Sequence, residues 1–204
     1  MIYEFSDRIS NKLLDKKIIK EDDIQIYTYG FEIVISSFLI LLAVIGIGII
    51  FNCLVKAIIF MIFFCSLRIQ AGGYHADTHL KCFSYFVLSC FIGILMAQLL
   101  SNYDKVHIVR NLVLIESCII VIAYAPVDTI NKPLNSLEKI SYKKRSVITV
   151  FIQAIIILAI CTINDYLKPY CLVASIAVFI QTVTLLPVIN KPMKKEGLEY
   201  VSKY

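Results

Sequence analysis

Six apolar stretches, at residues 33–51, 54–67, 82–100, 111–125, 147–163 and 171–189, dominate the chain and restrict what it can become. A helix that crosses the hydrocarbon core of a bilayer, about 30 Å thick, needs about 20 residues, with a range of about 17–25. Four of the stretches reach that range. Segment 54–67 is short and carries Lys56; segment 111–125 is short and carries Glu116, although it can borrow from 106–110. Either could be re-entrant rather than spanning. With 59% hydrophobic and 17% charged residues among 204, the chain lies far from a soluble domain, which is about 45–50% apolar and about 25% charged. Disordered and collagen-like classes are excluded by the same figures. The net charge of +5 gathers at the ends of the apolar runs, so no basic face for nucleic acid is expected.

The fold class expected is therefore all-α: a polytopic membrane protein with about six transmembrane helices preceded by an N-terminal amphipathic helix. Residues 1–30 place Ile2, Phe5, Ile9 and Leu13 at steps of three and four, with eleven charges in the segment. Such a helix could lie on a membrane surface or pack on cytoplasmic loops; it does not read as a secretory leader. A membrane-embedded domain over 31–189 and a basic tail over 190–204 follow.

The distribution of Lys and Arg assigns the sides. If all six stretches span and the N-terminus is cytoplasmic, 16 of the 20 basic residues fall inside, leaving Lys56, Lys105, Arg110 and Lys168 outside. Removing the span 54–67 reverses the bias. Six spans with both termini inside put the loop 68–81 at the cytoplasmic face. A faint repeat, Pro126–Pro133 after the fourth span and Pro187–Pro192 at the end of the sixth, reads either as a duplicated hairpin or as two ordinary Pro-bounded membrane exits.

The stretch Arg68-Ile69-Gln70-Ala71-Gly72-Gly73-Tyr74-His75-Ala76-Asp77-Thr78-His79-Leu80-Lys81-Cys82 concentrates the reactive chemistry. Of the seven cysteines, six sit in or at the edge of apolar runs as small hydrophobes, and Cys82 stands apart at the mouth of a span. No disulfide framework is read from them. A thiolate with a nearby imidazole is the minimal unit of a thiol peptidase. On one straight helix His75 would stand about 10 Å from Cys82 along the axis, so periodicity favours His79, three residues before it. His75 serves only if the chain bends or a second chain supplies it. The pair His75 and His79 has the i,i+4 spacing of a zinc peptidase, but Ala76 occupies the position of that motif's general base. Cys82 could be a third ligand, but thiol chemistry requires no cofactor and no metal is expected.

R-x-x-x-G-G-x-H with a cysteine seven residues on, Arg68 through Cys82, resembles the signature of the accessory gene regulator B (AgrB) family, bacterial membrane cysteine endopeptidases of quorum sensing. The length, the six spans, and Ala125-Pro126-Val127 followed by Asn131-Lys132-Pro133-Leu134 agree with it. The resemblance implies Cys82 as nucleophile and His75 as its catalytic partner, hence a bend between them; Arg68 and Gly73 match further motif positions. It implies cleavage of a short AgrD-like propeptide with an acidic C-terminal tail, an acyl-enzyme thioester, closure to a thiolactone or lactone autoinducing-peptide precursor, and action as a homodimer in the bacterial cell membrane.

That chemistry needs an oxyanion hole, for which Arg68, Gln70 and the backbone N–H groups near Gly72 and Gly73 are candidates. It also needs a group that orients the imidazole; Asp77 and Asp128 are candidates, each equally a solvated loop acid. The basic loop 126–146 and tail 190–204 could attract an acidic substrate or anionic lipid. Glu116 is an intramembrane acid, a functional candidate by default, that could pair with Arg110. The competing readings are a small transporter exporting a peptide and a zinc-dependent membrane peptidase.

Overall fold

A computed structural model describes residues 2–74, 79–128 and 134–189. Among them the chain is helical: α1 (Ile2–Asp15), α2 (Ile24–Ile50), α3 (Leu54–Ala71), α4 (His79–Leu100), α5 (Val106–Tyr124), α6 (Ser136–Ile163) and α7 (Lys168–Val183). Six segments are long and apolar enough to cross a membrane, and α1 precedes them. The two short stretches prove to be whole helices. Segment 54–67 continues through Arg68 to Ala71, and segment 111–125 starts at Val106. At about 1.5 Å per residue their 18 and 19 residues span roughly 27–28 Å, close to the thickness of the hydrocarbon core. The last helix is shorter than its apolar run, since the chain leaves α7 at Val183 and turns through residues 184–189.

The chain divides into two compact units, residues 1–54 with 76–88, and residues 55–75 with 89–204. In the first, α1 packs along α2. Its buried face is centred on Ser6 and Ser10, while Phe5 is exposed. Small hydroxyl side chains four apart let two helix backbones approach closely, as they do inside membranes. The helix α2 ends at Asn52 in the left-handed region (φ 51°), where the Cys53 amide donates to Gly48 O at 2.8 Å. That six-residue closure is a Schellman-type cap, and asparagine is among the few residues besides glycine that enter this conformation readily.

In the second unit α7 is the core helix. In the most apolar 18 residues of Asp165–Val183, 56% are buried, against 11% in those of Glu21–Ile50. Cys171, Ala174 and Val178 of α7 meet Leu114 and Val121 of α5 and Val150, Ala154 and Ile157 of α6 in one apolar cluster, which Leu67 and Ala71 of α3 join. Small residues permit close approach here too: a Cβ on Gly93 of α4 would strike the Phe60 ring of α3. Gln153 of α6 is buried and donates through Nε2 to Phe63 O (2.9 Å) and Ser66 Oγ (2.8 Å) of α3. The start of α6 is closed by a capping box. Asn135 Oδ1 accepts from the Glu138 amide (2.8 Å), and Glu138 Oε2 accepts from the Asn135 amide (2.9 Å).

Isoleucine, leucine and phenylalanine side chains stay uncovered along the helices, among them Ile115, Ile119 and Ile122 of α5 and Phe151, Ile152 and Ile155 of α6. In water this would be a large adhesive surface; in lipid it is simply solvated.

Candidate active site

The C-terminal ends of α3, α5 and α7 converge. Val127, just past α5, donates its amide to Ala71 O at the end of α3 (3.0 Å), and Gly72 and Val127 form a parallel β-bridge. Tyr74, past α3, donates its amide to Thr184 O at the end of α7 (3.1 Å). The N-terminal part of α6 joins the same end, where Lys143 Nζ bonds Ile122 O and Lys139 Nζ lies 2.6 Å from Asp128 Oδ2. Helices α3, α5 and α7 thus run one way and α6 the other, the alternation expected of successive crossings. The two Pro-bounded exits of the faint repeat begin at this shared end; residues 129–133 and 190–192 lie outside the described residues.

The segment leaving α3 is held from several directions. Arg68, in the last turn of α3, sits over the Phe64 ring (5.9 Å to the centroid) and donates through Nη2 to Tyr74 O at 2.5 Å. Its Nη1 lies 3.4 Å from Gln181 Oε1. Gln181, fully buried in the last turn of α7, donates through Nε2 to Gly72 O at 2.8 Å. Its own carbonyl accepts from the Thr184 hydroxyl at 2.7 Å. One planar guanidinium and one amide therefore tie α3, the Gly-Gly turn and α7 together.

Glycine is required at both turn positions. Gly72 has φ 71° and Gly73 φ 128°, conformations that L side chains rarely adopt. A Cβ on Gly72 would meet Val127 O, and one on Gly73 would meet Thr184 Oγ1. Each non-glycine residue would have to push back another element's backbone or cap.

Of the residues singled out in the sequence, Arg68, Gly72 and Gly73 are brought together in this network. Gln70 has a buried Oε1 without a partner among the described residues. Asp128, one residue past the bridge, keeps Oδ2 on Lys139 and has a buried Oδ1 with no partner among the described residues. His75 and Asp77 lie outside the described residues, as does the side chain of His79. Cys82 is a half-buried free thiol in the first turn of α4, which starts at His79. Glu116 does not pair with Arg110, whose guanidinium donates to Asn111 Oδ1 on its own helix (3.2 and 3.0 Å).

Gln181 and Thr184 were not singled out in the sequence. The available signal was a cluster of amide and hydroxyl residues, Gln181-Thr182-Val183-Thr184, within the apolar run 171–189; in lipid such groups must find partners inside the protein. A cavity of about 450 Å³ between α3, α6 and α7, lined by residues that include Val55, Ile59, Tyr166 and Tyr170, is apolar and sits near the opposite ends of these helices, so it is not the site of this chemistry.

Six helices long and apolar enough to cross a membrane, with one polar, glycine-bent network where α3, α5 and α7 end, fit a multi-pass membrane protein. The accessory gene regulator B profile matches residues 6–185, and the chain belongs to that family, part of a quorum-sensing system. Among curated relatives, an AgrB-like protein of Clostridium perfringens strain SM101 is 26% identical over 180 residues, covering 86% of this chain and 84% of the relative. A second AgrB-like protein, from strain 13 of that species, is 28% identical over 149 residues, covering 71% and 68%. The accessory gene regulator protein B of Staphylococcus intermedius is 23% identical over 184 residues, covering 90% and 93%. No solved structure matches the chain.

Proposed function

We propose that the chain is a membrane cysteine endopeptidase and peptide cyclase that processes a short propeptide with an acidic C-terminal tail. The observation that carries the reading is the Gly72–Gly73 turn, secured by bonds to Val127 and Gln181, in the same sequence stretch as His75 and as Cys82, a free thiol in the first turn of α4. A turn secured by buried bonds to two other helices fixes a reacting group far better than a free loop does.

In the proposed reaction the Cys82 thiolate, its proton taken by His75, attacks the scissile carbonyl. The tetrahedral intermediate collapses, the C–N bond breaks, and His75 protonates the departing amine. The acyl group remains as a thioester on Cys82. A cysteine or serine side chain within the bound fragment then attacks that thioester, giving its proton to His75. Cys82 leaves, is reprotonated, and the product is a thiolactone or lactone ring. Holding the internal nucleophile against the thioester, away from bulk water, favours cyclisation over hydrolysis. Asp128, whose Oδ1 is buried with no partner among the described residues, orients the His75 imidazole in this scheme.

The bias of Lys and Arg supports a cytoplasmic loop and cytoplasmic termini. Lys139, Lys143, Lys144 and Arg145 at the start of α6 supply positive charge at the same end of the helices, suited to an acidic tail and to anionic lipid. The working unit is proposed to be a homodimer.

The decisive experiment mixes the protein, in liposomes, with its propeptide and follows products and adducts by mass spectrometry. The expected result is an acyl adduct on the Cys82 peptide and a cyclic product, both abolished in Cys82→Ala. Cleavage that persists in Cys82→Ala would overturn the reading, as would transport of intact peptide without cleavage.

A further inference from the structure

Glu116 takes no part in the proposed reaction, yet it holds a costly position for an acid. It lies on α5, wholly within the second unit. At about 1.5 Å per residue it stands about 15 Å from the start of the helix at Val106 and about 12 Å from its end at Tyr124. That is near the middle of a hydrocarbon core about 30 Å thick. Its two methylenes cannot carry the carboxyl to either interface, as the long stems of Lys and Arg do near helix ends. Acids at this depth are rare and normally face a bundle interior or a partner. Glu116 does neither within its own unit. The helix buries Leu114, Ser117 and Val121, whereas Glu116 is exposed on the other side with Leu112, Ile119 and Ala123. It has no hydrogen bond or ion pair among the described residues. Lipid solvates the leucine and isoleucine but offers the carboxyl no donor.

We infer that this face of α5 is the contact between two copies of the chain, with Glu116 meeting its counterpart at the two-fold axis. The inference rests on the proposed homodimer and names its surface. Val109, Leu112, Glu116, Ile119 and Ala123 follow one another at steps of three, four, three and four. That is the a/d spacing of a two-stranded coiled coil, in which a single polar residue on the seam fixes register. Ala123 is small, which lets two helix backbones come close in a membrane. Two copies with one topology form a closed pair about an axis along the membrane normal, and such an axis sets equal depths of the same helix against each other. A carboxyl group is complementary to itself. A protonated Glu116 donates its O–H to a carboxyl oxygen of the other copy, so the pair needs no further residue. A phospholipid headgroup stays at the interface, far from this depth, and a peptide would have to bring a donor of its own to the midplane.

The test uses full-length protein in liposomes, with energy transfer between labelled copies followed as lipid dilutes the protein. Glu116→Leu is expected to weaken association by about tenfold, the order of one or two interhelical hydrogen bonds. Glu116→Gln, whose amide both donates and accepts, is expected to stay within about threefold of the unsubstituted protein. Independently, Leu112→Cys and Ile119→Cys, oxidised with copper phenanthroline and mapped by mass spectrometry, are expected to give disulfides between like positions of two copies. Phe151→Cys, exposed on α6, is expected to give none. Association of Glu116→Leu at the unsubstituted strength overturns the inference, as do links at 151 in place of 112 and 119. A link from position 119 to residues 1–54 of the same chain overturns it by showing that the face is covered from within. A link to an added propeptide carrying a cysteine, in place of a second copy, makes the face a substrate contact and overturns it too. If the unsubstituted protein stays monomeric at every dilution, the homodimer reading itself fails; if it pairs and these variants leave the pair unchanged, only the assignment of the α5 face fails.

Discussion

Gly72 and Gly73 occupy positions where the lack of a side chain is a geometric requirement. Gly72→Ala combines a left-handed φ with a clash on Val127 O, and Gly73→Ala combines φ 128° with a clash on Thr184. Since the strain is local, each variant is expected to insert into the membrane normally yet lose at least about tenfold in propeptide processing per folded molecule, a cost of the order strained backbone positions carry. Insertion is read by fractionation and processing by mass spectrometry. Arg68→Lys retains the charge but loses the planar fork that serves Tyr74 O and Gln181 Oε1 at once. It should lose most of its processing too, whereas a purely electrostatic Arg68 would be replaced without loss. The choice between the two loop histidines belongs to the same scale. His75→Ala is expected to abolish acylation of Cys82 and His79→Ala to leave a measurable rate; the opposite pattern would move the base to His79. The sequence showed Arg68, Gly72, Gly73, His75 and Cys82 because unusual residue types stand close together in it. It did not show Gln181, 109 positions beyond Gly72, because no local pattern records which helix ends meet.

At the scale of the element, membrane helices are legible through hydropathy but their ends are not. The runs 54–67 and 111–125 looked too short because Lys56, Arg68 and Arg110 interrupt the apolar pattern, yet each helix continues through these residues. Lys and Arg near helix ends carry long apolar stems that let the charge reach the interface. The α6 start illustrates the converse: Asn135 and Glu138 form a legible capping signature, N-x-x-E, ahead of the run that begins at 147. Between elements, Gln153 is the polar tie of α6 to α3. Interhelical hydrogen bonds in membranes average about 0.6 kcal/mol and reach about 1.7, so Gln153→Leu is expected to destabilise by about 1 kcal/mol. Removing the side chain also removes a buried Oε1 that has no partner, which pulls the value toward the lower end. Unfolding in bicelles against Asn135→Ala, where a lost cap costs typically about 1 kcal/mol, gives both numbers on one scale. A Gln153→Leu variant as stable as the unsubstituted protein would show that α3 and α6 are held by packing alone.

For the whole molecule the decisive property is which side of the membrane each helix end occupies, and charge and geometry bear on it independently. The alternation of α3, α5 and α7 against α6 comes from backbone bonds at the shared end, Val127 to Ala71 and Tyr74 to Thr184, with no reference to charge. The bias of basic residues comes from the sequence, with no reference to those bonds. They agree on one topology: the ends carrying Gly72, Val127 and Thr184 share a side with the basic start of α6, and the turn after α6 carrying Lys168 faces the other. The agreement also constrains function, because a propeptide made in the cytoplasm meets the loop only if that shared end is cytoplasmic. Single cysteines introduced by Lys105→Cys, Lys168→Cys, Lys139→Cys and Lys144→Cys, in a chain whose native cysteines are replaced, test it with a membrane-impermeant maleimide on intact cells. Positions 105 and 168 are expected to label at once, and 139 and 144 only after the membrane is opened. Labelling of 139 and 144 from outside would put the Gly-Gly turn on the external face and overturn the proposed processing of a cytoplasmic propeptide. Labelling of all four from outside would break the alternation itself, and with it the assignment of the segment between α5 and α6 to the side that holds the candidate site.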